Sequence, residues 1–107
     1  MDDSREELEA YREKVVLEIR RREVHAHEVG AKVREAERLV KEASRSRSIA
    51  GKSPGRGQIE EAHRTRLKES LQRLTKDLGE AEAELRRAEE RLVQVDRKIA
   101  EVVSREG

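Results

Sequence analysis

The chain has 107 residues, 46% of them charged and 34% hydrophobic, with Tyr11 as its one aromatic and 25 Lys and Arg set against 24 Asp and Glu. That is enough chain for one domain, but so low an apolar fraction excludes a thick core and leaves disorder or long helices that bury one stripe each. With no cysteine present, disulfides and thiolate chemistry are excluded.

The opening Met1-Asp2-Asp3-Ser4 is acidic and polar, unlike a secretory signal peptide. No apolar run approaches the ~18 residues of a membrane span. A cytoplasmic protein is therefore expected.

A first helix is predicted over about residues 4–44. Ser4 is its capping residue, and Glu6 and Glu7 close behind suit the positive end of the helix dipole. Its apolar series is Val15, Ile19, Arg22, Ala26, Val29, Val33, Ala36, Val40 and Ala43, an alternation of four-residue and three-residue steps with one polar break at Arg22. A mean step of 3.5 residues is the coiled-coil seam. Leu8 and Tyr11 extend the series toward the N-terminus through a local stutter. Val16, Val24 and Leu39 flank it. Arg22 at a seam position lowers stability but fixes register; if buried it should meet a carboxylate, and Glu84 and Glu89 fall near its level.

Residues 45–57 then break the helix: the stretch from Ser44 to Gly57 holds three of the six glycines, the one proline and four serines. A second helix is predicted over about residues 58–105. Its series, Leu67, Leu71, Leu74, Leu78, Ala81, Leu85, Ala88, Leu92, Val95, Ile99 and Val102, keeps the four-three spacing without a miss.

Two such helices joined by one loop bury both stripes only by folding back on each other. The expected fold is all-α, a two-helix antiparallel coiled-coil hairpin in one domain, a rod about 60 to 70 Å long at ~1.5 Å per residue. Gly30 and Gly79 then fall at similar heights, each costing ~1 kcal/mol relative to Ala. They are either tolerated beside the seam or a soft point that lets the rod bend.

Charge is unevenly spread. Residues 44–76 hold nine basic and three acidic residues, a net +6, whereas residues 77–96 hold three basic and seven acidic, a net −4. Such polarity orients a docking partner, although salt screens it beyond ~8–10 Å. The basic residues near the turn, Arg45, Arg47, Lys52, Arg56, Arg64 and Arg66, are the candidate partner-binding set.

Little catalytic chemistry is legible. Gly51-Lys52-Ser53 resembles the end of a phosphate-binding loop, but the glycine needed five residues earlier is Ser46 and a charged helix precedes it. His25 and His27 point about 200° apart on a helix, so they do not grip one metal, and no metal or cofactor is expected. The carboxylates sit at helical offsets from bases, as in Glu18–Arg22, Glu37–Lys41 and Glu82–Arg86, like exposed helix-supporting pairs. No enzyme is expected. The Arg-Ser-Arg-Ser run at 45–48 suits phosphate, but no aromatics interleave to stack bases, so nucleic acid is a lesser alternative.

The plan of the chain resembles the FliJ/YscO family, central stalk proteins of flagellar and non-flagellar type III secretion. The likeness is carried by His63-Arg-Thr-Arg-Leu-Lys-Glu-Ser-Leu-Gln-Arg-Leu-Thr-Lys-Asp-Leu78, by Glu80-Ala-Glu-Ala-Glu-Leu-Arg-Arg-Ala-Glu-Glu-Arg-Leu92, and by Val16-Leu-Glu-Ile-Arg-Arg-Arg-Glu23. It implies an antiparallel coiled coil that inserts into a ring-shaped export ATPase and touches the export gate. The alternative is a general helical interaction module, such as a scaffold or small-GTPase effector hairpin. A homodimer that covers Val16, Val24, Leu39, Val93 and Val103 belongs to that alternative.

Overall fold

The computed structural model describes residues 4–45 and 56–106. Helix α1 spans Arg5–Arg45 and helix α2 spans Arg56–Glu106. The chain is an all-α, two-helix antiparallel hairpin, and no strand occurs among the described residues. Residues 46–55, including Arg47, Lys52 and the Gly51-Lys52-Ser53 sequence, lie outside the described residues.

Ser4 caps α1 as its sequence suggests. The Glu7 amide donates to Ser4 Oγ at 3.2 Å and the Leu8 amide to the Ser4 carbonyl at 3.0 Å. The first satisfies one of the amides left over at a helix start, and the second is the helix's opening i→i−4 bond. At the other end of the hairpin's connection, α2 opens two residues before the expected start, with Gly57 in its first turn. The four-three series alone does not mark that start, because the first turns of α2 are polar. Within α2, Thr65 and Thr75 turn their hydroxyls onto the carbonyls of Glu61 and Leu71, at 3.0 and 2.7 Å. That local bond satisfies the hydroxyl within the helix.

The contacts divide into two compact units, Met1–Ala26 with Ala81–Gly107, and His27–Glu80. In the first, Leu8, Val15 and Ile19 of α1 and Ala81, Ala88 and Val95 of α2 are buried, with Leu85 and Leu92 packed against the Val15–Ile19–Ala88 centre. Ala88 is 0% exposed. Small residues at every second seam position of α2 let the backbones come close, while the leucines between them cover the sides of the contact.

In the second unit the sizes are exchanged. Val29, Val33 and Ala36 of α1 are buried, and Leu67, Leu71, Leu74 and Leu78 of α2 lie half-buried against a ridge of smaller side chains. Gly30 and Leu78 are at one level: a Cβ built at Gly30 would stand 3.9 Å from Leu78 Cδ1. All eleven residues of the α2 series are buried or half-buried.

One seam expectation is corrected. Leu8 is 4% exposed but Tyr11 is 47% exposed, so the seam does not step through Tyr11 by a stutter. Counting the four-three alternation backward from Val15 gives Arg12, Leu8 and Arg5. The heptad is unbroken, and charged side chains occupy three of its positions, Arg5, Arg12 and Arg22.

Candidate functional site

Three arginines of α1 stand on the seam count, and each reaches an acid on α2. Arg5 Nη1 lies 3.2 Å from Glu106 Oε2, Arg12 Nε lies 2.6 Å from Asp96 Oδ1, and Arg22 Nη1 meets Glu84. A fourth pair runs the other way, from Arg91 Nη2 to Glu18 Oε1 at 2.6 Å, and Glu18 also stands 3.8 Å from Arg22 Nε. The sequence separations shrink from 101 through 84 and 73 to 62 residues as the pairs step inward. Long aliphatic stems lie along the seam while the guanidinium groups leave it for the edge.

Of the two acids expected near Arg22, Glu84 is the partner, and Glu89 is exposed. Among the described residues Glu18 pairs with Arg22 as expected, whereas the Glu37–Lys41 and Glu82–Arg86 offsets are not drawn into ion pairs. Arg38 instead takes Glu35 and Glu42 together. That pairing pushes the Arg38 guanidinium up and holds the Glu35 carboxyl below its ordinary value, the hydrogen bond between them being the main cause in each case. Hydrogen bonds that Arg5 donates to Glu9 and then to Glu106 likewise raise the Arg5 guanidinium.

The six basic residues expected near the turn do not share one environment. Arg45 ends α1 on an exposed turn and Arg66 is exposed on α2. Arg64 is turned inward, its side chain 11% exposed and its Nη2 2.5 Å from Glu61 Oε2. It lies beside Leu39, Ala43 and Leu67, three residues before Leu67 on the seam count. Helical spacing explains the split, since residues two apart face away from each other. Arg56 opens α2, and Arg47 and Lys52 lie outside the described residues.

An open groove of about 370 Å³ forms between Leu8 and Val95, rimmed by Tyr11, Arg91 and Lys98. The outward surface carries further apolar side chains: Leu17 is 50% and Val24 58% exposed, and Ile59, Val93 and Val103 are exposed as well. Val16 and Leu39, expected with Val24 as flanks, are half-buried in the hairpin itself.

His25, His27 and His63 are exposed, and no group of three metal-ligating side chains occurs among the described residues. No described helix is long and apolar enough to cross a membrane. No family model matches this chain, and comparison with curated proteins and with solved structures found no match.

Sequence reasoning named Leu8 correctly but missed the arginine pairs of Arg5 and Arg12. Their signal was present: the seven-residue count continues through them, but an apolar search skips charged letters. Leu17 and Ile59 carried no signal in an inward-facing series, since neither belongs to it.

Proposed function

We propose that this chain is a non-enzymatic coiled-coil adaptor, working in the cytoplasm by presenting helical surface to a protein partner. The observation that supports it most is the division of labour around each helix. Inward side chains, with Arg5, Arg12 and Arg22, are used to hold the two arms together. Outward side chains include exposed Leu17, Val24, Val93 and Val103 among unburied charges. Scattered aliphatic side chains in a charged helical face suit docking against another helix more than they suit a small-molecule site.

The specific form we infer is the stalk of a type III secretion export apparatus, with the export ATPase ring as partner. It rests on the resemblance to the FliJ/YscO family and on the charge polarity of the sequence, net +6 over residues 44–76 and net −4 over residues 77–96. A stalk seated in a ring meets a repeating set of like surfaces, and a polarised charge distribution sets which end enters. Arg45 and Arg66, both exposed, are the described basic residues best placed to meet an acidic ring surface.

The experiment is stimulation of ATP hydrolysis. Purified chain added to a hexameric export ATPase should raise turnover and co-sediment with the ring, and both effects should weaken with salt. Neither stimulation nor co-sedimentation at low salt would remove the stalk. Capture of a helical partner that is not an ATPase would leave the general interaction module.

A further inference from the structure

Away from the seam, α1 carries a second row at seven-residue spacing: Ala10, Leu17 and Val24, all exposed. It points outward, away from α2. Six charged residues flank it in two lanes, Glu6, Glu13 and Arg20 on one side and Glu7, Lys14 and Arg21 on the other. All six are exposed and none makes an ion pair with another described residue. The contrast with the seam is sharp, because Arg5, Arg12, Glu18 and Arg22 on the same stretch of α1 are all paired.

The order of signs in the two lanes carries the inference. Both begin acidic, at Glu6 and Glu7, and both end basic, at Arg20 and Arg21. Turned end for end, such a surface presents its basic end to its own acidic end. That is the self-complementarity required of a two-fold interface between identical chains. Laid parallel, the same lanes would set acid on acid and base on base.

We propose that the outer face of α1 between Glu6 and Val24 binds a second copy of this chain, antiparallel about a two-fold axis near Glu13 and Lys14. Ala10 of each copy then faces Leu17 of the other, Glu6 faces Arg20, and Glu7 faces Arg21. Four attractive contacts outweigh the like-charge approaches of Glu13 and Lys14 across the axis, where each also nears the other's opposite charge. Ala10 and Leu17 are the aliphatics that meet across the axis, and two such side chains per copy bury less than the ~1,200 Å² of a standard interface. The dimer is therefore weak and salt-sensitive. The inference does not depend on the stalk reading, and self-association is measured without any ATPase.

Sedimentation equilibrium of the full chain from about 10 μM to about 1 mM, at low and high salt, tests it. The unaltered chain should associate at low salt and dissociate as salt rises. The double variant Glu6→Arg/Glu7→Arg and the double variant Arg20→Glu/Arg21→Glu should each weaken association about tenfold or more, and the combined fourfold variant should restore it. Leu17→Gln, at an outward position, should keep the helical circular dichroism and lose association. A chain that stays monomeric to about 1 mM at low salt overturns the proposal. So does association that the charge reversals leave unchanged, or a fourfold variant that stays apart while remaining helical.

Discussion

Arg12 Nε donates to Asp96 Oδ1 at 2.6 Å from a seam position where an aliphatic residue would otherwise sit, between buried Leu8 and Val15. Exposed pairs of this kind contribute roughly 0–1 kcal/mol, less than a buried Leu contributes at the same place. What the pair supplies instead is discrimination. In the arrangement observed Arg5, Arg12 and Arg22 all meet acids, and a slip of the arms by one seam step would take each away from its partner.

Replacing that arginine should therefore stabilise the fold. In Arg12→Leu an aliphatic side chain would take the seam position between buried Leu8 and Val15. The expected gain is about 1–2 kcal/mol after loss of the exposed pair, read as a higher Tm in a thermal melt followed by circular dichroism. A lower Tm would mean that the Asp96 contact outweighs burial.

The two ends of the seam differ in how plainly the sequence shows them. The series from Leu67 to Val102 marked α2 residue by residue, because every seam position there is aliphatic and the period of 3.5 is unambiguous. Tyr11 draws the apolar pattern off the seam, because hydropathy favours the aromatic over the neighbouring arginine that the seven-residue count requires. For the same reason the half-buried Glu60 and Arg64, which continue the α2 count toward its start, looked like solvated charge. The candidate site was legible only as a charge excess; that Arg64 turns inward and Arg66 outward depends on the helical phase of each residue.

Arg22 and Glu84 offer a test of register by exchange of charge. Arg22→Glu should destabilise the hairpin by about 1 kcal/mol, since it places Glu beside both Glu84 and Glu18. Adding Glu84→Arg should recover most of the loss. The coupling in the double-mutant cycle should be about 0.5–1 kcal/mol. A cycle with no coupling would assign Arg22 to packing of its stem alone.

Acid should weaken the arm that carries Glu35. Its carboxyl is held below its ordinary value of 4.5, chiefly by the hydrogen bond from Arg38. A depressed folded-state value means that the contribution is fully present above about 4.5 and is lost as pH falls through the lowered value. Lowering pH from about 7 to about 3 should therefore reduce the Tm, and Glu35→Gln should start lower at neutral pH yet lose less on acidification. The group is fully exposed, so added salt should shrink the difference. Parallel acid profiles for the two proteins would show that the pair contributes nothing to folding.

Gly79 sits inside α2 on an exposed face, and a Cβ there would meet nothing within 4 Å. A helix-interior glycine gives up more backbone freedom on folding than alanine does, so Gly79→Ala should stabilise by about 0.5–1 kcal/mol without any new contact. Gly30→Ala should gain as much, because its Cβ would make ordinary contacts with Leu78 Cδ1 at 3.9 Å and Arg34 Nη1 at 3.8 Å. Thermal melts check both. The same variants separate two roles for glycine in this hairpin. Under the proposed stalk function, a raised Tm with ATPase stimulation unchanged would show that the glycines are merely tolerated on the helix faces. A raised Tm with reduced stimulation would, under the same proposal, show that the arms bend at these levels and that the alanines have stiffened them.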